Sequence, residues 1–123
     1  MRSDMKPDAV SGTQREALEK DLHEIVANLA SKYNPEKMIL FGSLATGELH
    51  EWSDIDLLIV KETSTRRAYR RAEALKGVPR KVPLDLIILT PDEVRLLCDE
   101  GASFIKDVLG RGTVVYEKEE SLV

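Results

Sequence analysis

The sequence predicts one α/β (α+β) domain, a small mixed β-sheet flanked by helices, and three observations predict it. Two apolar runs, 55-IDLLIV-60 and 84-LDLIILT-90, have the length of strands and are apolar on both faces. Between and around them lie segments with helical spacing of apolar residues. Glycine and proline separate these segments at Pro35, Gly42, Gly77, Pro79, Pro83, Gly101 and Gly112.

Taken in order, residues 1–12 contain Pro7 and Gly12 and no periodicity, so a frayed tail is expected. Thr13 with Glu16 three residues on has the capping-box spacing, and Leu18, Leu22, Ile25, Val26 and Leu29 then recur as one helical stripe. Pro35 disfavours helical geometry at Asn34, so that helix should stop near Tyr33. Residues 37–42 read as a short strand ended by Gly42, and residues 54–60 as a strand central in the sheet. A basic helix over 64–76 ends at Gly77 and Pro79. Residues 82–89 form a third strand, with Pro83 confined to an edge or to its first position. Thr90-Pro91-Asp92-Glu93 has the composition of a helix start. A short helix over 102–109 and a strand over 113–116 complete the order α-β-β-α-β-α-α-β. The expected domain is 13–117, with 118–123 a charged tail.

At 123 residues and 42% hydrophobic, the chain can build a core without disulfides or metals. Its single cysteine, Cys98, excludes a disulfide scaffold and fits a reducing, cytoplasmic setting. No apolar stretch approaches the roughly 20 residues needed to span a bilayer, and the first residues lack the apolar core of a signal peptide. The net charge of −4 is unevenly distributed. Arg66 to Lys81 holds seven basic residues and one acid, a local +6 against −10 elsewhere.

Three acids carry the chemistry. Asp54 and Asp56 open an apolar strand and share one of its faces, with Cα atoms about 6.5–7 Å apart. Asp85 sits between Leu84 and Leu86 in another apolar strand. A carboxylate in such surroundings is costly unless paired or bound to a cation, and neither strand offers a lysine or arginine. On adjacent strands the three would converge, and oxygen-only donors favour Mg²⁺ or Mn²⁺ over zinc. Taken alone, Asp-x-Asp is more often an ordinary strand-start feature, and Gly42-Ser43 more often an ordinary turn. The latter stands at a strand-to-helix corner, of a kind whose free amides can hold phosphate oxygens.

The combination Gly42-Ser43, ten residues, Asp54-x-Asp56, then Asp85 on a later strand resembles the nucleotidyltransferase superfamily with its DNA polymerase β-like fold. It is most similar to the minimal nucleotidyltransferase (MNT) group, many of which are antitoxins paired with HEPN-domain toxins. The resemblance covers 39-ILFGSLATGELHEWSDIDLLIV-60 and 83-PLDLIIL-89, with Gly47 as a further match. It implies that Gly42 and Ser43 hold an NTP, that Asp54, Asp56 and Asp85 bind Mg²⁺ (or Mn²⁺), and that Asp85 helps activate an acceptor hydroxyl. It further implies transfer of AMP from ATP to a tyrosine of a cognate HEPN toxin; beside larger relatives that bind their acceptors with a second, all-helical domain, the short chain is expected to have its acceptor site completed by a partner or a second copy. Two other readings stand beside it: a module that neutralises a partner by binding alone, and a transferase subunit acting on RNA or a small molecule.

The basic segment has three readings: a solvated helix face, guanidinium groups for the triphosphate near the mouth of the acidic site, or a docking surface for an acidic partner or RNA. Tyr69 is its only aromatic residue, which makes a nucleic-acid role the weakest. His23 and His50 are expected on the surface, Trp52 as packing for the site loop, and Cys98 as a core thiol.

Overall fold

The computed structural model describes residues 7–42, 55–79 and 83–118, and side chains from residue 16 onward. Among the described residues, eight elements follow in the expected order: α1 (Pro7–Lys32), β1 (Lys37–Phe41), β2 (Ile55–Val60), α2 (Arg67–Leu75), β3 (Leu84–Leu89), α3 (Pro91–Asp99), α4 (Ser103–Arg111) and β4 (Thr113–Glu117). The strands form one mixed sheet in the order β3-β2-β1-β4. β1 runs antiparallel to both β2 and β4, whereas β2 and β3 are parallel.

The sheet separates two apolar layers. On one face, Met38, Leu40, Ile55, Leu57, Ile59, Leu84, Leu86 and Ile88 pack against Leu18, Ile25, Leu29 and Tyr33 of the α1 region and against Ala74 and Val78. On the other, Ile39, Leu58 and Leu89 pack against Ile105 and Val108, with Phe41, Ile87, Val94, Leu97 and Ala102 around them. β2 is apolar on both faces because helices cover both.

Two boundaries and the burial of one residue differ from the sequence reading. α1 begins at Pro7, so residues 7–12 are helical and Thr13 lies inside the helix. Proline needs no N–H partner in a first turn, and Leu18, about three turns further along, is the first core residue described. α1 ends as expected: Asn34 adopts the left-handed conformation (φ 55°) ahead of Pro35, and its N–H donates to Leu29 O at 3.1 Å. Lys61 Nζ donates to the carbonyls of Tyr33 (2.7 Å) and Asn34 (3.2 Å), which ties this corner to the end of β2. The basic helix begins at Arg67, three residues later than expected. Cys98, expected in the core, is exposed on α3, because that helix buries no residue fully.

Pro83 precedes β3, which is an edge strand, so both of the positions open to that proline apply together. α3 starts with a complete capping box: Thr90 Oγ1 accepts from Glu93 N at 3.1 Å, and Glu93 Oε1 accepts from Thr90 N at 2.9 Å. Among the described residues no helix is long and apolar enough to cross a membrane.

Gly112 joins α4 to β4 where a side chain has no room. A Cβ there would lie 2.5 Å from Val108 O, 2.6 Å from Ile39 Cγ2 and 3.0 Å from Leu40 O. Two of these are backbone atoms that cannot rotate away. Gly112→Ala is therefore expected to destabilise the domain by about 1–3 kcal/mol, read as a lower urea midpoint at unchanged m-value.

Candidate active site

The end of β1 and the starts of β2 and β3 meet at one end of the sheet. In register, Phe41 of β1 faces Asp56 of β2, and Asp56 faces Asp85 of β3. The two aspartates are thus direct neighbours on parallel strands, with Cα atoms about 4.8 Å apart. Both project to the face that carries Leu58, Ile87 and Leu89, the face covered by α3 and α4.

Gly42 follows Phe41 with φ 80°, a conformation that favours glycine. A Cβ at this position would overlap Asp56 Oδ2 and come within 3.1 Å of Asp56 Cγ. Gly42 therefore does more than turn the chain: the space it leaves open is where the Asp56 carboxylate lies. This contact depends on the β1–β2 register and has no signature in the sequence. Ser43 and Asp54, the other expected site residues, lie outside the described residues, as do Gly47, His50 and Trp52.

Asp85 is exposed and Asp56 is half-buried. That corrects the expectation of an acid enclosed by apolar neighbours. Leu84 and Leu86 point to the opposite face, and the residues of β3 that α3 and α4 cover are Ile87 and Leu89, further along the strand. Asp85 is left on the uncovered end. The donors present are hard carboxylate oxygens on adjacent backbones, and they suit Mg²⁺ or Mn²⁺. Among the described residues they make a pair and not a cluster of three.

Of the readings of the basic segment, the one that places its guanidinium groups near the mouth of the acidic site does not fit the described residues. α2 rests on the sheet face opposite the two aspartates, through Ala74 and the following Val78. Its inner arginines serve the sheet. Ile55 N donates to Pro83 O and Lys61 N to Leu89 O, so the odd-numbered carbonyls of β3 face β2 and the even-numbered ones face outward. Arg71 Nη2 donates to Leu84 O (2.8 Å) and Arg70 Nη1 to Ile88 O (3.1 Å), both on that open edge. Arg70 also forms a bidentate pair with Glu93, Nη1–Oε1 2.7 Å and Nη2–Oε2 3.2 Å. The hydrogen bond from Arg70 is the main cause that holds the Glu93 carboxyl down at about 2. Tyr69 is 62% exposed, on the outer side of the helix.

Sequence reasoning missed one further contact at the site. The rings of Phe41 and Phe104 meet edge to face, centroids 5.8 Å apart at 83°. Phe104 lies in the first turn of α4, 62 residues beyond Gly42, and the only local signal was an aromatic residue immediately before that glycine.

Residues 22–120 match the nucleotidyltransferase domain family. A Methanocaldococcus jannaschii protein provisionally named a protein adenylyltransferase is 54% identical over 44 residues, a match that spans 34% of this chain and only 44% of that relative. Among solved structures, a provisionally named nucleotidyltransferase from Sulfolobus solfataricus superposes with a TM-score of 0.64 at 24% identity, covering 92% of each chain. A toxin–antitoxin structure with AMP-PNP superposes with a TM-score of 0.52 at 19% identity, over 79% of this chain and 73% of that one. These two likenesses are of fold. With a family match over most of its length, the chain belongs to the nucleotidyltransferase domain family.

Proposed function

We propose that the chain transfers a nucleoside monophosphate, AMP from ATP, onto a protein hydroxyl, and that the acceptor is a tyrosine of a HEPN-type toxin. The observation that carries the reading is the corner itself: Gly42 without a side chain against Asp56, and Asp85 beside Asp56 on the next strand. Family membership and the name of the archaeal relative support it, as does the fold shared with a toxin–antitoxin structure that holds AMP-PNP.

In the reaction the acceptor oxygen forms a bond to the α-phosphorus. The bond from that phosphorus to the bridging oxygen breaks, pyrophosphate leaves, and the hydroxyl proton must be taken up. Asp85, the more exposed acid, is the carboxylate able to receive it from an incoming acceptor. Asp54, Asp56 and Asp85 would hold Mg²⁺ (or Mn²⁺), which when bound supplies positive charge against the phosphoryl oxygens. Gly42 and Ser43 would receive the triphosphate. The rest of the catalysis is positioning at one end of a rigid sheet.

The test incubates the protein with Mg²⁺, α-labelled ATP and the product of the adjacent gene. The expected result is label on a tyrosine of that product together with released pyrophosphate. A partner that is bound and neutralised without any label, equally by Asp56→Asn protein, would instead establish neutralisation by contact alone.

A further inference from the structure

We propose that Phe104, in edge-to-face contact with Phe41, is the surface on which the base of the donor nucleotide stacks. The inference rests on the nucleotidyl-transfer reading above and adds the site's second half.

The geometry leads there in three steps. Phe41 is the register neighbour of Asp56, so its side chain leaves the sheet on the same face as the two aspartates, about 4.5–5.5 Å away at Cα. Phe104 contacts the Phe41 ring and so stands one ring away from the residue beside Asp56. A nucleotide has the same layout: its base is separated from the α-phosphate by one ribose. With the phosphates at the Gly42–Asp56 corner, a base directed across β1 arrives at Phe104.

The ring is suited to the task. An edge-to-face contact sets the edge of one ring against one face of the other, so at least one face of Phe104 lies outside it, and Phe104 remains 41% exposed while Phe41 is half-buried. The next residue, Ile105, is fully buried, and Val108 nearly so, which fixes the first turn of α4 against the sheet. An exposed aromatic on a fixed backbone offers a flat apolar face at little entropic cost. Stacking of this kind accepts any base, because every base has a π-face. Phe104 would therefore strengthen nucleotide binding without selecting adenine.

Binding measurements on the full chain test this, with Mg²⁺ present, using ATP, GTP and inorganic tripolyphosphate as probes. Tripolyphosphate reports the phosphate corner and has no base. Phe104→Ala is expected to weaken ATP and GTP five- to hundredfold and to leave tripolyphosphate within twofold of wild type. Phe104→Trp should retain or improve nucleotide binding, and Phe104→Leu, which keeps apolar bulk without a π-face, should fall with Phe104→Ala. A loss for Phe104→Ala that is equal for nucleotides and tripolyphosphate, or no loss at all, overturns stacking and leaves the phosphate site standing. If Phe104→Ala fails to fold, Phe104→Leu decides: nucleotide affinity equal to wild type overturns the proposal. Wild-type protein that binds none of the three probes overturns the nucleotidyl-transfer reading, and the stacking proposal with it.

Discussion

Asp56→Asn is expected to lower nucleotidyl transfer about a thousandfold or more while the domain stays folded. The substitution keeps the shape of a half-buried side chain, removes its charge and turns one acceptor oxygen into an amide donor. A cation that offsets charge on a reacting phosphoryl group is worth several kcal/mol, and about 4 kcal/mol corresponds to three orders of magnitude in rate. The readout is kcat in the label-transfer assay, with the thermal midpoint as the folding control. Transfer within tenfold of wild type would remove Asp56 from the chemistry. Gly42→Ala reaches the same carboxylate by another route. Its methyl group would overlap Asp56 Oδ2 at a backbone conformation that side chains disfavour. Both rate and stability should therefore fall in Gly42→Ala, whereas in Asp56→Asn the rate alone should fall. That contrast separates a charge that acts on substrate from a contact that shapes the corner.

The order of the elements was legible because the apolar runs are short and glycine or proline stands between them, as at Gly42, Gly77 and Pro83. The start of α3 was legible for the same local reason: Thr90, Pro91 and Glu93 act within one turn. Properties that depend on distant strands were not. Leu84 and Leu86 made Asp85 look enclosed, yet strand alternation turns them to the other face, and where the covering helices stop is a tertiary fact. Net charge located the basic segment but not its direction. Arg70 turns to Glu93, 23 residues away, and to an edge carbonyl, neither of which a charge count can show. Pro7 was a usable signal for an earlier start of α1, outweighed by the late beginning of the apolar stripe. The Gly42–Asp56 contact and the Phe41–Phe104 pair both arise from the way β1 lies in the sheet.

Arg70→Met is expected to cost about 2–4 kcal/mol of stability and to flatten the acid end of the stability profile. Arg70 is 6% exposed and uses four of its five N–H donors, on Thr65 O, Ile88 O and both oxygens of Glu93. Removing one member of a buried pair costs about 3–5 kcal/mol. The lower end of the expected range applies because the Glu93 side chain is 28% exposed and water can reach it. The loss would reach well beyond one contact, since this guanidinium joins α2 to the open edge of β3 and to the capping box of α3. The pH dependence has a definite sign. Glu93 is held at about 2 in the folded protein against an ordinary value of 4.5, so its contribution is fully present above pH 4.5 and is lost as pH falls toward 2. A shift of that size corresponds to about 3 kcal/mol at most. Arg70 stays protonated throughout, its own pKa being raised by the same pair. Urea unfolding at pH 6, 4 and 3 measures the effect. Wild type should lose stability across those points, and Arg70→Met, already weaker at pH 6, should lose less between pH 6 and 3. Parallel profiles for the two proteins would show that the pair does not set the acid limit of the fold.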